Sequence, residues 1–360
     1  MEMKITKHSM LVFVILITIL LAQSNQAVHS SVSIDNEFET ILIPFNPLNT
    51  QCFFIDNNLY AVSLINGRII IYLYYESAWY ELQRLGSNEA AFTTFQVKDL
   101  NRDQIPEIIA GTEGPGFIFI YKLDDSSQWI EVNSSKYVWA PIASLIIGKF
   151  SSNSGAGTDL IVQTQEGILY FLKISADSLD LISKSPAPFK LIENTQTIDF
   201  DNDGLEEIVV TYRTSGVAVL KLINNTVVSV WENYPWGKVL AMTYSDWNND
   251  RRNELILTTS QKVVYLLTAN DKGFDFKLDN FQFDYVAENL LINNNAKKML
   301  TTDSTGKLRT YKYDQKNKKW QEETTLQTGR IIKVMSISDN ENDLYLWSAN
   351  RQLIKYQFEK

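Results

Sequence analysis

Apolar residues along this chain fall in short runs that alternate with polar positions or stay unbroken for only a few residues. No long segment carries the 3.6-residue period of a helix. The pattern predicts many short strands divided by turn residues. It is clearest over residues 91–132. Residues 91–98 form one strand, an acidic loop follows, and Glu107 opens a second, apolar β-branched strand. Residues 111–116, rich in Gly and Pro, turn the chain; 117–123 alternate as a third strand, 124–127 turn again, and 128–132 form a fourth.

This unit repeats. The residues opening the second strand are Glu107, Asp159, Glu207 and Glu254, at intervals of 52, 48 and 47. Lys298 and Asp343 continue the series forward and Asn58 continues it backward, giving seven units. Short antiparallel strands in fours at such a period predict an all-β fold, a seven-bladed β-propeller of four-stranded antiparallel blades. The seventh unit supplies only three strands, at 331–338, 344–348 and 352–358. Residues 38–45 read as a spare strand, so an N-terminal strand is expected to close the last blade and hide two open edges. Tryptophans recur on the fourth strands (Trp79, Trp129, Trp231, Trp320), a placement that points to packing between blades.

The loops between first and second strands carry the candidate chemistry. In Asp199-Phe200-Asp201-Asn202-Asp203-Gly204-Leu205-Glu206-Glu207, acids stand at alternate positions, Gly204 allows a sharp turn and Glu207 closes the loop. Converging carboxylates repel one another unless a hard cation sits among them, and Ca²⁺ accepts many oxygens in flexible geometry. The expected ligands are Asp199, Asp201, Asp203, the Leu205 carbonyl and Glu207. An EF-hand is excluded, because the twelfth residue is Val210 and the flanks read as strands. Two further loops keep the spacing. One is Asp99, Asn101, Asp103, Ile105 and Glu107; the other is Asp246, Asn248, Asp250, Arg252 and Glu254. Both lack the glycine, with Gln104 and Arg251 in its place, so Ca²⁺ is expected at the Asp199, Asp99 and Asp246 loops in falling order.

With these loops on repeated blades, the chain resembles the FG-GAP/VCBS repeat family, the calcium-loop propeller of integrin α-subunit N-terminal regions and many secreted proteins. The Asp, Asn and Glu residues of the three loops fall on that family's ligand positions. The family's phenylalanine–glycine and glycine–alanine–proline signatures are absent, and the third unit has Ser151-Ser152-Asn153-Ser154-Gly155 where acids belong. The resemblance implies a calcium-stabilised adhesion or recognition module.

Composition narrows the functions. The only histidines are His8 and His29, so the repeats hold no imidazole base and no Ser-His-Asp triad. Cys52 is the sole cysteine, which forbids an intrachain disulfide and reads as a small buried hydrophobe. A formal charge of −9 disfavours nucleic acid and anionic membranes. Residues 1–24 read as a signal peptide, with Lys4 and Lys7, an apolar run over 10–22 and small residues at the cleavage spacing. Residues 25–36 are expected as a tail and 37–360 as the propeller. The protein is then expected in the secretory-pathway lumen or outside the cell, with no stable membrane insertion after cleavage.

The leading function is recognition of a protein ligand. Connectors between blades carry Tyr137, Trp139, Phe189, Tyr234, Trp236, Phe283 and Tyr285, expected as an exposed aromatic face opposite the metal loops. A carbohydrate-binding lectin and a carboxylate-based glycan-processing enzyme are the alternatives. Asn133 and Asn224 open sequons for N-glycosylation.

Overall fold

The structure, a computed structural model, describes residues 33–35, 38–56, 58–87, 90–135, 139–152, 158–174, 179–213, 215–235, 237–248, 250–269, 276–294, 297–314, 316–317, 319–337 and 343–357. The expected signal, residues 25–32 and 36 of the expected tail, Tyr137 and Trp236 lie outside the described residues.

Seven antiparallel sheets stand in a ring. Blade 1 runs Thr50–Ile55, Asn58–Ile65, Arg68–Tyr75 and Ala78–Leu85. Blade 2 runs Phe92–Lys98, Glu107–Thr112, Ile118–Leu123 and Trp129–Ser134. Blade 3 runs Ile142–Gly148, Asp159–Thr164, Leu169–Ile174 and Leu179–Lys184. Blade 4 runs Ile192–Ile198, Glu207–Tyr212, Val217–Ile223 and Thr226–Asn233. Blade 5 runs Val239–Ser245, Glu254–Thr259, Val263–Ala269 and Phe276–Gln282. Blade 6 runs Asn289–Asn293, Lys298–Thr302, Lys307–Asp314 and Lys319–Gln327. Blade 7 has Ile332–Ile337, Asp343–Ser348 and Gln352–Gln357.

The N-terminal strand Phe38–Leu42 completes blade 7, pairing antiparallel with Gln352–Gln357 from Leu42 opposite Gln352 to Glu39 opposite Lys355. Ser33–Asp35, within the stretch expected as a tail, adds a fifth strand outside it. The chain then leaves blade 7 through Phe45, whose ring is 5.1 Å from Trp79 of blade 1 and 5.8 Å from Trp347 of blade 7. That contact ties the closing strand to both neighbours.

Burial follows strand position. All six residues of each second strand are buried in blades 2 to 5, because these strands have a neighbouring blade on both faces. That is why they read as unbroken apolar runs. Fourth strands bury little beyond their first turn, as in Trp129–Ser134, where only Trp129 is fully covered. The hydrophobic core is divided into seven clusters, each formed where one blade packs on the next. The fourth-strand tryptophans sit in these junctions: Trp129 lies 6.2 Å from Phe53 of blade 1 and Trp231 6.0 Å from Phe276 of blade 5.

First strands line the axis. They enclose a polar channel of about 680 Å³, whose walls include Gln51, Gln96, Asn194 and Gln196. Because every blade runs from axis to rim by simple hairpins, the loops joining first to second strands all emerge on one face. The connectors between blades emerge on the other.

Candidate metal centre

The acidic loops share one backbone. Gly204 has φ +81°, and Gln104 and Arg251 adopt the same left-handed conformation at φ 70° and 71°. The turn therefore forms without glycine, at a cost of about 1 kcal/mol for each side chain. Backbone N–H groups then hold the carboxylates inward. In blade 4, Gly204 N–H donates to Asp199 Oδ2 (3.0 Å), Leu205 N–H to Asp203 Oδ1 (2.7 Å) and Phe200 N–H to Glu207 Oε2 (3.0 Å). Ile105 N–H and Arg252 N–H donate in the same way to Asp103 and Asp250 at 2.8 and 2.9 Å.

What stands among the carboxylates differs from blade to blade. In blade 4 it is an ammonium group. Lys221, on the third strand, places Nζ 2.6 Å from Glu207 Oε1, 3.1 Å from Asp201 Oδ2 and 3.3 Å from Asp203 Oδ2. Its side chain is only 11% exposed and that of Glu207 is fully buried. Burial works against the charge on Lys221, but Glu207 and Asp201 outweigh it and hold the ammonium above its ordinary pKa. Three of the four expected carboxylate ligands are thus already engaged by a cation of the chain itself. Asp199 keeps Oδ1 outside this network.

In blade 5 the pairing of Leu255 with Leu267 sets Thr268 opposite Glu254, and among the described residues no lysine pairs with the three carboxylates; Lys297 Nζ reaches the Asp246 backbone carbonyl instead, at 3.1 Å. Ligand oxygens of Asp246, Asp250 and Glu254 lie within 4.8 Å of one another. The side-chain amide of Asn248 occupies the middle, donating from Nδ2 to Asp250 Oδ2 (3.1 Å) and to Glu254 Oε1 (2.5 Å). Glu254 is 2% exposed, and its second oxygen, Oε2, is buried without a hydrogen bond of good geometry. Burial first, then the charges of Asp250 and Asp246, push its carboxyl up to about 8.

Blade 2 is intermediate. Asn101 Nδ2 donates to Asp103 Oδ2 (2.9 Å) and Glu107 Oε1 (3.0 Å), while Lys122 reaches only Asp103, at 3.1 Å and with 40% of its side chain exposed. In blade 3 the buried Asp159 accepts from the Phe150 and Ser151 N–H groups at 3.0 and 2.8 Å, and residues 153–157 of its loop lie outside the described residues.

These centres differ in their fit to a hard cation. An amide can turn over and offer its oxygen, so Asn248 and Asn101 can change from donor to ligand. An ammonium has no lone pair to offer and must leave. Asp199, Asp201 and Glu207 of blade 4 bring ligand oxygens within 4.8 Å of one another, as the acids of blade 5 do, but in blade 4 Lys221 stands among them, whereas in blades 5 and 2 it is an amide. Lys221 carries no motif of its own. A signal was present in the spacing, because lysine recurs 14 or 15 residues after Glu107, Asp159 and Glu207, at Lys122, Lys173 and Lys221, whereas 14 residues after Glu254 stands Thr268.

The aromatic connectors do not form the expected exposed face. Trp139 is buried against Tyr170, with ring centroids 5.9 Å apart. Phe283 stacks on Tyr285 and Tyr311 at 4.8 and 5.0 Å. Tyr285 is itself buried; its hydroxyl meets Thr301 at 2.6 Å and the Arg309 guanidinium lies 3.7 Å from its ring centroid. Phe189 is half-buried against the junction of blades 3 and 4. Each ring finds an apolar wall in the adjoining blade, which a connector running over the junction brings within reach. Only Tyr234, 58% exposed beside Lys190 and Glu232, presents itself to solvent among those described. Of the sequon asparagines, Asn224 lies in an exposed turn, while Asn133 has its amide nitrogen buried beside a bulge.

No family model matches this sequence, and no curated protein matches it either. Solved structures do. A chain of the mitotic checkpoint complex aligns with TM-score 0.62 and 10% identity, over 92% of this chain and 99% of its own. A chain from the complex of BBS1N with ARL6DN aligns with TM-score 0.58 and 11% identity, over 88% and 94%. A functionally unknown protein from Desulfotomaculum acetoxidans aligns with TM-score 0.61 and 10% identity, over 83% and 92%. At such identities the likeness is one of fold, and it places this chain among β-propellers.

Proposed function

We propose that this chain is a protein-recognition module of the secretory pathway or cell exterior, an FG-GAP/VCBS-like propeller braced by calcium in blades 5 and 2. β-Propellers commonly serve as protein-interaction modules, and two of the similar structures come from protein complexes. The observation that carries the reading is where exposed apolar side chains lie. Leu48, Leu191, Tyr234 and Ile331, between 36% and 63% exposed, all stand on connectors entering or leaving first strands, so they share one face. Of the nine exposed large apolar side chains among the described residues, the other five are spread over strands: Ile130, Val132 and Ile182 on fourth strands, Ile223 at the end of a third and Tyr244 on a first. The four that share the connector face are the candidate docking surface. That face is opposite the acidic loops, so calcium stiffens blades rather than touching the partner. The chemistry gives no support to catalysis: no histidine lies beyond His29, and burial drives the Cys52 thiol well above its ordinary pKa. Within the secretory pathway, Asn224 is the sequon expected to carry sugar.

The test is affinity capture from secretory-pathway extract in calcium, using the whole chain and a variant with Leu48→Asp, Leu191→Asp and Ile331→Asp. A control carries Ile182→Asp on the outer strand of blade 3. The partner should be lost from the connector variant and kept by the control. The same proteins on all three would refute the docking face.

A further inference from the structure

We propose that Lys221 is a permanent internal counter-ion of blade 4, so that the most acidic loop of the chain is the one that binds no calcium. The inference rests on the calcium reading of the other blades only for its contrast; the role of Lys221 stands without it.

Three facts carry it. The ammonium lies within 3.3 Å of Asp201, Asp203 and Glu207 together, which is the place a shared cation would take. The position is enforced by register, since the third strand pairs Leu220 with Ile208 and so sets Lys221 beside Glu207. Two of the three partners are covered: Glu207 is fully buried and Asp201 is 15% exposed, while Asp203, at 41%, opens to solvent. The lysine side chain is 11% exposed, so the ammonium is held inside the loop rather than reaching over from the surface. A calcium ion entering here must expel the ammonium from charge-assisted hydrogen bonds to Asp201 and Asp203 and from its 2.6 Å ion pair with Glu207. In blade 5 it must turn the Asn248 amide, which gives up the 2.8 Å bond that Asn248 Oδ1 accepts from Asp250 N–H, a donor that keeps Asp246 Oδ1 at 3.0 Å. Blade 4 thus has its brace covalently supplied, independent of the calcium concentration around it.

The experiment counts ions on the intact chain. Calcium bound per chain is measured by isothermal titration calorimetry and terbium luminescence for wild type, Asp201→Asn, Lys221→Met and Lys221→Met/Asp201→Asn. Asp201→Asn alone should leave the wild-type number unchanged. Lys221→Met should add one ion, and the double substitution should remove it. A fall in bound calcium caused by Asp201→Asn would overturn the proposal even if Lys221→Met failed to fold, because that variant keeps the lysine. So would a folded Lys221→Met that gains no ion. A wild type that binds no calcium, with Lys221→Met binding one, would sink the calcium reading of blades 5 and 2 and leave this one standing.

Discussion

Blades 4 and 5 carry the same loop at the same place in adjacent repeats, yet they resolve the same electrostatic problem in different ways. Both gather carboxylates around a buried glutamate, Glu207 or Glu254. In blade 4 the hairpin that follows returns a lysine to the centre; in blade 5 it returns Thr268. One blade supplies a counter-ion from its own third strand; in the other, burial and the neighbouring carboxylates raise the pKa of the glutamate. A ligand-spacing motif describes the oxygens and is silent about the residue facing them from the next strand, and here that residue is what differs between the two blades.

The largest expected effect comes from removing the internal counter-ion of blade 4. In chelator, Lys221→Met leaves Glu207 buried without its partner and should lower stability by about 3–5 kcal/mol, read by denaturant unfolding. Calcium should restore much of that loss by binding the folded state alone. Equal stability of variant and wild type in chelator would mean that the ion pair does not brace the blade.

The next effect is a pH dependence of blade 5. Glu254 titrates near 8 in the fold, above the ordinary carboxylate value, so the folded state holds a proton that the unfolded chain has released. In chelator its contribution is fully present below the ordinary glutamate pKa and is lost as pH rises through about 8. Stability should therefore decline across that window in wild type, and less steeply in Glu254→Gln. Parallel pH profiles for the two would remove Glu254 from the account.

The comparison sharpens if the lysine is transplanted. Thr268→Lys should copy the blade 4 arrangement into blade 5, lowering calcium affinity there at least tenfold, about 1.4 kcal/mol, while raising the melting temperature in chelator. Unchanged calcium titration would show that the facing residue does not govern occupancy. The smallest effect belongs to the turn. Arg251→Gly relieves a left-handed side chain and should stabilise by about 0.5–1 kcal/mol, whereas Gly204→Ala should destabilise by a similar amount.

Much of the architecture was legible in the sequence. The seven residues expected to open second strands, Asn58, Glu107, Asp159, Glu207, Glu254, Lys298 and Asp343, each begin a second strand in the structure. Burial on both faces makes those runs uninterruptedly apolar, and the loop before each begins abruptly, so the boundary is sharp. The left-handed turn at Gln104 and Arg251 was also readable, because the loop spacing demands it whatever the side chain. Two things were not. Lys221 joins the site through cross-strand register, which depends on hairpin length more than on any motif. The burial of Trp139, Phe283 and Tyr285 is a property of two blades at once, and composition of a connector cannot tell a ring facing solvent from one facing the next sheet.

The closing strand has a consequence for how the chain reaches its fold. Phe38–Leu42 must find Gln352–Gln357, with Leu42 and Gln352 separated by more than three hundred residues along the sequence. Every other pairing in the ring joins neighbours a few residues apart, so six blades can assemble as the polypeptide leaves the ribosome. Blade 7 alone waits for the final segment, and bringing those ends together carries a loop-closure entropy of about 5 kcal/mol. Until then Ile41 and Phe45 lack the Trp347 and Leu353 they pack with, and the rim of blade 7 is an unpaired edge. Synthesis therefore passes through a late stage in which a nearly complete ring is held open, and it is there that a chaperone has most to protect.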